Sequence, residues 1–419
     1  MSFRDLVGET LRTLAAHKLR TALSTFGIAW GIVSITLMVA AGEGLRRGHQ
    51  RVSEGFGRDI LVVYRGRTSL QAGGTRAGRE VQWRAGDHLR VRAESPSCRE
   101  VLPEQGLLDV PVRSSHNNGS FVVTGSLPPF ADVRSIGVAE GRYPNWADER
   151  EARRVALLGS DAKKQLFASR PAVGETIRVG DFPYTVVGVM RDKVQDDGYD
   201  GYDGQKLFVP FATALRDFPN PPPSLPDSIK RLVVTPRRVE DHEACKSEVR
   251  RALARLHGFD PADTEAAPIQ DTVEQAKAFR RMTDGMKRFL GAVGVATLFI
   301  GGIGVMNVML VGVRERTREI GVRKAIGATR RSVVRQFFLE TLILVFLSGA
   351  LGLAAAYGIC GLVSLLPMPQ FFTGLVPTWE SGLVACALLG TVAVLSALYP
   401  ASRAAAVDPI EALRYDAGG

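Results

Sequence analysis

The sequence predicts an α-helical membrane protein with four transmembrane helices and a mixed α/β extracytoplasmic domain inserted between helices 1 and 2. Three observations predict it. Four long runs contain no Asp, Glu, Lys, Arg or His; residues 43–288 read as ordinary globular sequence; and Lys and Arg crowd the short segments on one side of the apolar runs only. Chain averages conceal this segregation, since the 419 residues are 45% hydrophobic with a mean hydropathy of +0.03.

The uncharged runs are 21–42, 289–313, 341–366 (stopped by Pro367) and 381–402. A helix rises about 1.5 Å per residue, so about 20 residues cross the roughly 30 Å hydrocarbon core. Helices of soluble proteins typically run about 8–20 residues with a polar face, which makes them a poor account of four such runs. Lys18, Arg20 and Val39-Ala40-Ala41 give the first run some look of a cleaved signal. A signal's apolar region is about 7–15 residues, however, and this run is longer.

Orientation follows from Lys and Arg in the short segments. Residues 1–20, an N-terminal amphipathic segment, carry Arg4, Arg12, Lys18 and Arg20. Segment 314–340 carries eight basic residues and the tail 403–419 carries Arg403 and Arg414, whereas the turn 367–380 has neither Lys nor Arg. Both termini and 314–340 are therefore expected in the cytoplasm of a bacterial inner-membrane protein, with 43–288 and 367–380 outside. Trp379 and Tyr399 stand near opposite ends of the fourth run, as interfacial aromatics do. The formal net charge of +10 fits the same picture. Residues 43–288 hold 39 Lys and Arg against 34 Asp and Glu, and the short segments hold 14 against 9. No aromatic-interleaved basic surface or nucleic-acid motif accompanies the charge, which argues against a nucleic-acid partner.

Small residues in the runs predict helix contacts. Gly27 and Gly31 have GxxxG spacing in the first run; Gly301, Gly302 and Gly304 cluster in the second, with Asn307 one turn on. The expected contact set is Gly27, Gly31, Gly301, Gly304 and Asn307.

In 43–288, residues 43–58 and 272–288 read as helical stalks continuing the first two spans. Between them short strands are predicted at 60–64, 121–124, 155–158, 176–179, 184–189, 207–210 and 231–235, with helices at 161–167 and 239–257. A proline-rich break at 219–226 suggests that a second unit starts there. Cys98 and Cys245 can pair if this domain is outside the cytoplasm, while Cys360 and Cys386 lie in apolar runs as small apolar side chains. Asp196–Gly204 is acidic, but it lacks the spacing and terminal Glu of an EF-hand loop and reads as a flexible hairpin tip. The six histidines are scattered without metal-ligand spacing. No nucleophile elbow and no phosphate loop occurs, so neither a catalytic residue nor a metal or cofactor ligand is assigned.

The sharpest segment is 314–340. A charged helix is expected over 315–326 with Ile320, Val322 and Ile326 as apolar points, terminated by Gly327, and Thr329 caps the helix that enters the third span. Ile300–Met309, Arg314–Ala328 (RERTREIGVRKAIGA), Gln336–Glu340, Tyr399–Ala405 and Asp408–Arg414 resemble the second span, coupling loop and C-terminal signature of MacB-type ABC transporter permeases, within the FtsX-like permease family. Lys18–Leu23, Gly141-Arg142, Leu158-Gly159, Val173–Arg178 and Val186–Val189 fit more loosely, the last four with the family's periplasmic core domain.

The resemblance implies an ABC transporter permease, a dimer with a second copy or a paralogue, and a separate ABC ATPase that holds ATP and Mg; no cofactor is bound by this chain. MacB carries an ATPase domain ahead of its first span. This chain starts about 20 residues before that span and has no phosphate loop, so the permease-only form is expected. The coupling residues implied are Arg314, Glu315, Glu319, Ile320, Gly321, Arg323, Lys324 and Gly327. Their movement would be passed to the outer domain (mechanotransmission), for efflux with a periplasmic adaptor and outer-membrane duct. Lipoprotein release, or FtsX-like regulation of a cell-wall hydrolase, are the alternative readings.

Overall fold

The computed structural model describes residues 18–57, 59–71, 76–195, 200–369 and 371–414. Most of the expected N-terminal segment 1–20, part of the acidic loop (196–199) and the end of the tail (415–419) lie outside the described residues. The helices of six or more residues are α1 Lys18–Phe56, α2 Asp87–Glu94, α3 Ser160–Phe167, α4 Phe211–Asp217, α5 His242–His257, α6 Thr272–Glu315, α7 Thr317–Ala325, α8 Arg330–Val363, α9 Trp379–Ala406 and α10 Pro409–Arg414. The main strands are β1 Leu61–Tyr64, β2 Cys98–Arg113, β3 Asn118–Ser126, β4 Val138–Gly141, β5 Val155–Leu158, β6 Thr176–Val179, β7 Phe182–Met190, β8 Lys206–Pro210, β9 Arg231–Pro236 and β10 Ile269–Asp271. Two compact units result, one of residues up to Gly48 and from Arg281, the other His49–Arg280.

In the helical unit, α1, α6, α8 and α9 are each long and apolar enough to cross a membrane. At about 1.5 Å per residue, the 44 residues of α6 extend roughly 66 Å, well past a bilayer core. The large side chains of Phe299, Ile300, Phe346, Leu351 and Leu362 are exposed, as lipid-facing positions require. Inside, Ile28, Ile32 and Ile35 of α1 pack with Leu298 and Val305 of α6, Leu344 and Val345 of α8, and Leu389 and Val392 of α9. The turn after α8 docks on α1, where Thr373 N and Oγ1 donate to the Gly44 carbonyl at 3.3 and 2.9 Å and Val376 N donates to that of Ala40 at 3.1 Å. Gly44 and Gly48 leave α1 bare on the side that Gly374 and Phe371 approach.

The α/β unit is built on one ten-stranded sheet in the order β10-β1-β9-β2-β3-β8-β5-β7-β4, with β6 joined to both β2 and β7. Most neighbours are antiparallel, but β3–β8 and β5–β7 are parallel. Two apolar cores form on it. One gathers Ile60–Val63, Trp83, Val91, Val233, Val249 and Leu253; the other gathers Val123, Leu158, Leu166, Phe167, Ile177, Tyr184 and Leu207. The break at 219–226 therefore does not open a separate second unit. β9, which follows it, lies between β1 and β2, which precede it, so the first core draws on both ends of the segment. Cys98 at the start of β2 and Cys245 on α5 are joined by a disulfide inside that core.

The sixteen residues of β2 were invisible to strand patterning because Pro103, Gly106 and Pro111 interrupt them. Long-range pairing overrides the local preference. A bulge between Leu107 and Val110, with Asp109 at φ +55°, carries the strand from the first core to the second.

The acidic loop also differs from the expected flexible hairpin tip. Its described end is anchored, not a solvated tip. Asp203 is about 1% exposed and shares its carboxylate among Arg134 (3.1 Å), Lys193 (2.7 Å) and Lys206 (3.2 Å), while Asp200 pairs with Arg231. Burial acts to raise the Asp203 pKa, but the three cations outweigh it and hold the group well below the usual carboxylate range. Burial pushes the Lys193 ammonium down to about 8, against the pull of Asp203 and with Arg134 and Lys206 adding repulsion.

Candidate coupling site

α6 ends at Glu315, and one residue later α7 begins. The Thr317 hydroxyl donates to the carbonyls of Val313 (3.1 Å) and Arg314 (2.8 Å), which secures the junction. Arg316 reaches across to the buried Glu340 of α8 at 3.3 Å. At the far end Ile326 follows the helix, Gly327 takes φ +104°, and Thr329 Oγ1 accepts from Ser332 N to cap α8. Only a residue without Cβ adopts such a φ at low cost, which makes Gly327 the turn point of the connection.

α7 has two faces. Ile320 is 3% exposed and packs with Val313, Val333, Phe337, Ala401 and Ala404. Gly321 is also buried, and a Cβ built there would stand 2.5 Å from the Ala412 Cβ of α10. Arg323 donates to Gln336 Oε1 of α8 at 2.9 Å. The Lys324 ammonium donates to the carbonyls of Ala405 (3.1 Å) and Val407 at the C-terminal end of α9, where a cation offsets unpaired carbonyls and the helix dipole. Asp408 Oδ1 accepts from Ile410 N and starts α10, which explains the Asp-Pro-Ile-Glu motif. On the opposite face Arg318, Glu319, Val322 and Ala325 are exposed, and Ile326 just beyond the helix is 82% exposed. Arg314 and Glu315, at the end of α6, are exposed as well.

The expected coupling residues thus divide. Ile320 and Gly321 belong to the chain's own packing and not to its exposed face. Arg323 and Lys324 are turned to α8 and α9. Arg314, Glu315 and Glu319 remain on the surface, and Val322 and Ile326, taken from the sequence only as apolar points, provide its apolar part.

The expected helix-contact residues divide as well. A Cβ on Gly27 would meet Gly301 Cα at 3.5 Å, one on Gly301 would stand 3.0 Å from the Gly27 carbonyl group, and one on Gly31 would stand 3.1 Å from Leu298 Cα. These three glycines bring α1 and α6 into backbone contact. Gly304 faces open space and Asn307 is exposed, so neither lies at this contact. Two contributors escaped the sequence reading. Gly352 of α8 lies against Ala29 of α1, and Glu43 of α1, buried, binds Arg46 (2.6 Å), Arg47 (2.9 Å) and Lys287 of α6 (3.6 Å). Small-residue spacing on α8 would have found the first.

In the α/β unit, His242, Glu243 and Asp271 place possible ligand atoms within 4.8 Å of one another. His242 Nδ1 is already hydrogen-bonded to Asp271 at 2.8 Å, and Lys277 Nζ lies 2.6 Å from its Nε2. Asp271 Oδ1 also accepts from Val273 N and Glu274 N, capping α6. On the Nδ1 side, where the three ligand atoms meet, the Lys246 ammonium already bridges Glu243 Oε1 (2.5 Å) and Asp271 Oδ2 (3.4 Å), so a cation of the chain itself stands between the carboxylates and Asp271 serves as the cap of α6.

Four spanning-length helices, a large α/β insertion between the first two, and a short helix seated between the second and third define a multi-pass membrane protein of the permease type. The chain belongs to the MacB-like, FtsX-like permease family. Residues 21–252 match the MacB-like periplasmic core domain, and 291–409 match the FtsX-like permease C-terminal domain. The pyoverdine export ATP-binding/permease protein PvdT of Pseudomonas putida is 32% identical over 417 residues, covering 97% of this chain and 60% of that protein. The chain thus spans about three-fifths of the length of the curated relatives it matches first. The ABC transporter permease YknZ of Bacillus subtilis is 27% identical over 420 residues, covering 99% of this chain and 100% of that one. The periplasmic region of MacB from Actinobacillus actinomycetemcomitans aligns with a TM-score of 0.43 at 18% identity, over 54% of this chain and 95% of that structure.

Proposed function

We propose that this chain is the membrane-spanning permease of an export ABC transporter of the MacB type, driven through α7 by an ABC ATPase. The observation that carries the reading is the two-faced α7. A helix this short passes on a displacement only if it is seated, and Ile320, Gly321, Arg323 and Lys324 tie it to α8, α9 and α10. Its outward face offers Val322 and Ile326 to an apolar groove, with Arg314, Glu315, Arg318 and Glu319 at the rim. The Lys and Arg distribution supports a cytoplasmic place for α7 and both termini, where an ATPase with ATP and Mg would meet them. The continuous helices α1 and α6 would carry the motion to the α/β unit, outside the membrane. Two permease copies would act together, with an adaptor and outer-membrane duct receiving the cargo. Export is supported by the relatives named for pyoverdine and macrolide export.

The test is co-purification with the ATPase together with permease-stimulated ATP turnover. Rim ion pairs contribute little, whereas a seated apolar anchor costs about 2 kcal/mol or more on truncation, roughly 30-fold in affinity. Ile326→Ala with Val322→Ala should weaken association by that order while the purified permease keeps its thermal stability. Wild-type association and turnover in this double variant would overturn the coupling assignment.

A further inference from the structure

Between the start of α8 and the end of α9 lies an open cleft of about 560 Å³. Arg330, Arg331 and Arg335 line one side, Val334 and Phe338 form an apolar wall, and Ala406 borders it from α9; no acidic residue lines it. Arg330 Nε donates to the Ala405 carbonyl at 3.3 Å. Arg331 and Arg335 are exposed and make no hydrogen bond or ion pair among the described residues.

This arrangement is unfavourable by itself in two ways. Arg331 and Arg335 stand at i and i+4, where like charges on a helix repel. All three arginines also sit in the first two turns of α8, the positive end of the helix dipole, and the first turn holds no acidic residue. A bound anion relieves both. The apolar wall tells which anion. Val334 and Phe338 lead directly into the uncharged run that begins at Thr341, so the cleft is basic at its mouth and continuous with a lipid-facing helix surface. Inorganic phosphate would leave that wall unused. A phospholipid uses both parts, and basic pockets between spans at the positively charged membrane face bind anionic headgroups.

We propose that this cleft holds an anionic phospholipid, its phosphate between Arg331 and Arg335 and its acyl chains along Val334 and Phe338. The proposal needs α8 and α9 to span the bilayer, and it is independent of any ATPase at α7.

The test uses the purified full chain in detergent, titrated in parallel with short-chain phosphatidylglycerol, phosphatidylcholine of the same chain length, and inorganic phosphate. Bound lipid is counted by native mass spectrometry, and the thermal midpoint is followed. Phosphatidylglycerol should be retained and raise the midpoint, and the other two should not. Arg331→Gln with Arg335→Gln should weaken its retention roughly 30-fold, from the contribution of two basic residues at a membrane surface. Arg314→Gln with Arg318→Gln, the same charge change outside the cleft, should leave retention unaltered. Ala406→Trp, which obstructs the cleft and keeps every charge, should lower retention and guards against a folding defect in the arginine pair. Equal loss in both arginine pairs would make the arginines a general positive-inside signal and overturn the site. Binding of phosphatidylcholine or inorganic phosphate as well as phosphatidylglycerol, or full retention in Ala406→Trp, would overturn it too. None of these readouts involves ATPase association, so failure here is separable from failure of the coupling assignment.

Discussion

In the helical unit Phe299, Ile300, Leu351 and Leu362 are exposed while glycines bring α1 against α6 and α8 beside a core of Ile, Leu and Val; in the α/β unit Trp83, Phe167 and Tyr184 are buried around the sheet. The polar groups differ just as much. The α/β unit buries Asp203 with Arg134, Lys193 and Lys206, whereas among the described residues the uncharged runs of the helical unit bury hydroxyls such as Thr36, Thr341 and Ser348, and its buried carboxylates Glu43 and Glu340 stand just outside those runs. Water rewards hiding large apolar surface, and a buried ion cluster persists there when opposite charges pair. Lipid gives no reward for hiding apolar surface, so close backbone approach has to hold helices together. The same twenty side chains are thus sorted by opposite rules within one chain.

Substitutions test that contrast. Asp203→Asn removes the carboxylate that three buried cations share, and should destabilise the α/β unit by about 3–5 kcal/mol, read by chemical unfolding of the detergent-solubilised chain. The same carboxylate sets an acid limit. Its folded pKa lies below the unfolded one, so its contribution is complete above the ordinary carboxylate pKa near 4 and declines as pH falls below it. The melting temperature of the wild type should therefore drop on going from pH 5 to pH 3, and Asp203→Asn should flatten that drop. Cys98→Ser with Cys245→Ser should cost about 2–4 kcal/mol in the same unit, and a reductant should lower the wild-type melting point but not that of the double variant. Gly301→Ala should cost about 1–3 kcal/mol by forcing α1 from α6, visible as loss of the bundle's thermal stability in detergent. Leu362→Ala, on an exposed position of α8, should change it by no more than about 0.5 kcal/mol. If Leu362→Ala proved the costlier of these last two, the sorting by lipid would be wrong.

The helical unit was the more legible in sequence. An uncharged run of spanning length is a strong signal, and Gly327 and Thr329 announce a break and a cap by their own backbone preferences. Short strands also read directly, Thr176–Val179 by alternation and β-branched residues and Val155–Leu158 as a short continuous apolar run. What stayed hidden depended on partners distant in the chain. β2 contains residues that argue against a strand, and it exists because β9 and β3 flank it. Asp203 lies in a run of Asp, Gly and Tyr that looks solvated, and nothing local reports that Arg134 waits some seventy positions earlier. Ile320 and Ile326 show the same limit on a smaller scale. Both are apolar points on one charged segment, and only the position of α10 and the ends of α8 and α9 decides which is covered.

The length of β2 has a consequence for how the α/β unit opens. Its first half, with Val101 and Leu102, belongs to one core and its second half, with Val110 and Val112, to the other. Neither core can lose its packing without fraying a strand the other needs, so the segment should behave as one cooperative block. Amide hydrogens on both sides of the Asp109 bulge would then exchange at a common slow rate set by global opening, and a pull applied at one end would be felt across the whole block.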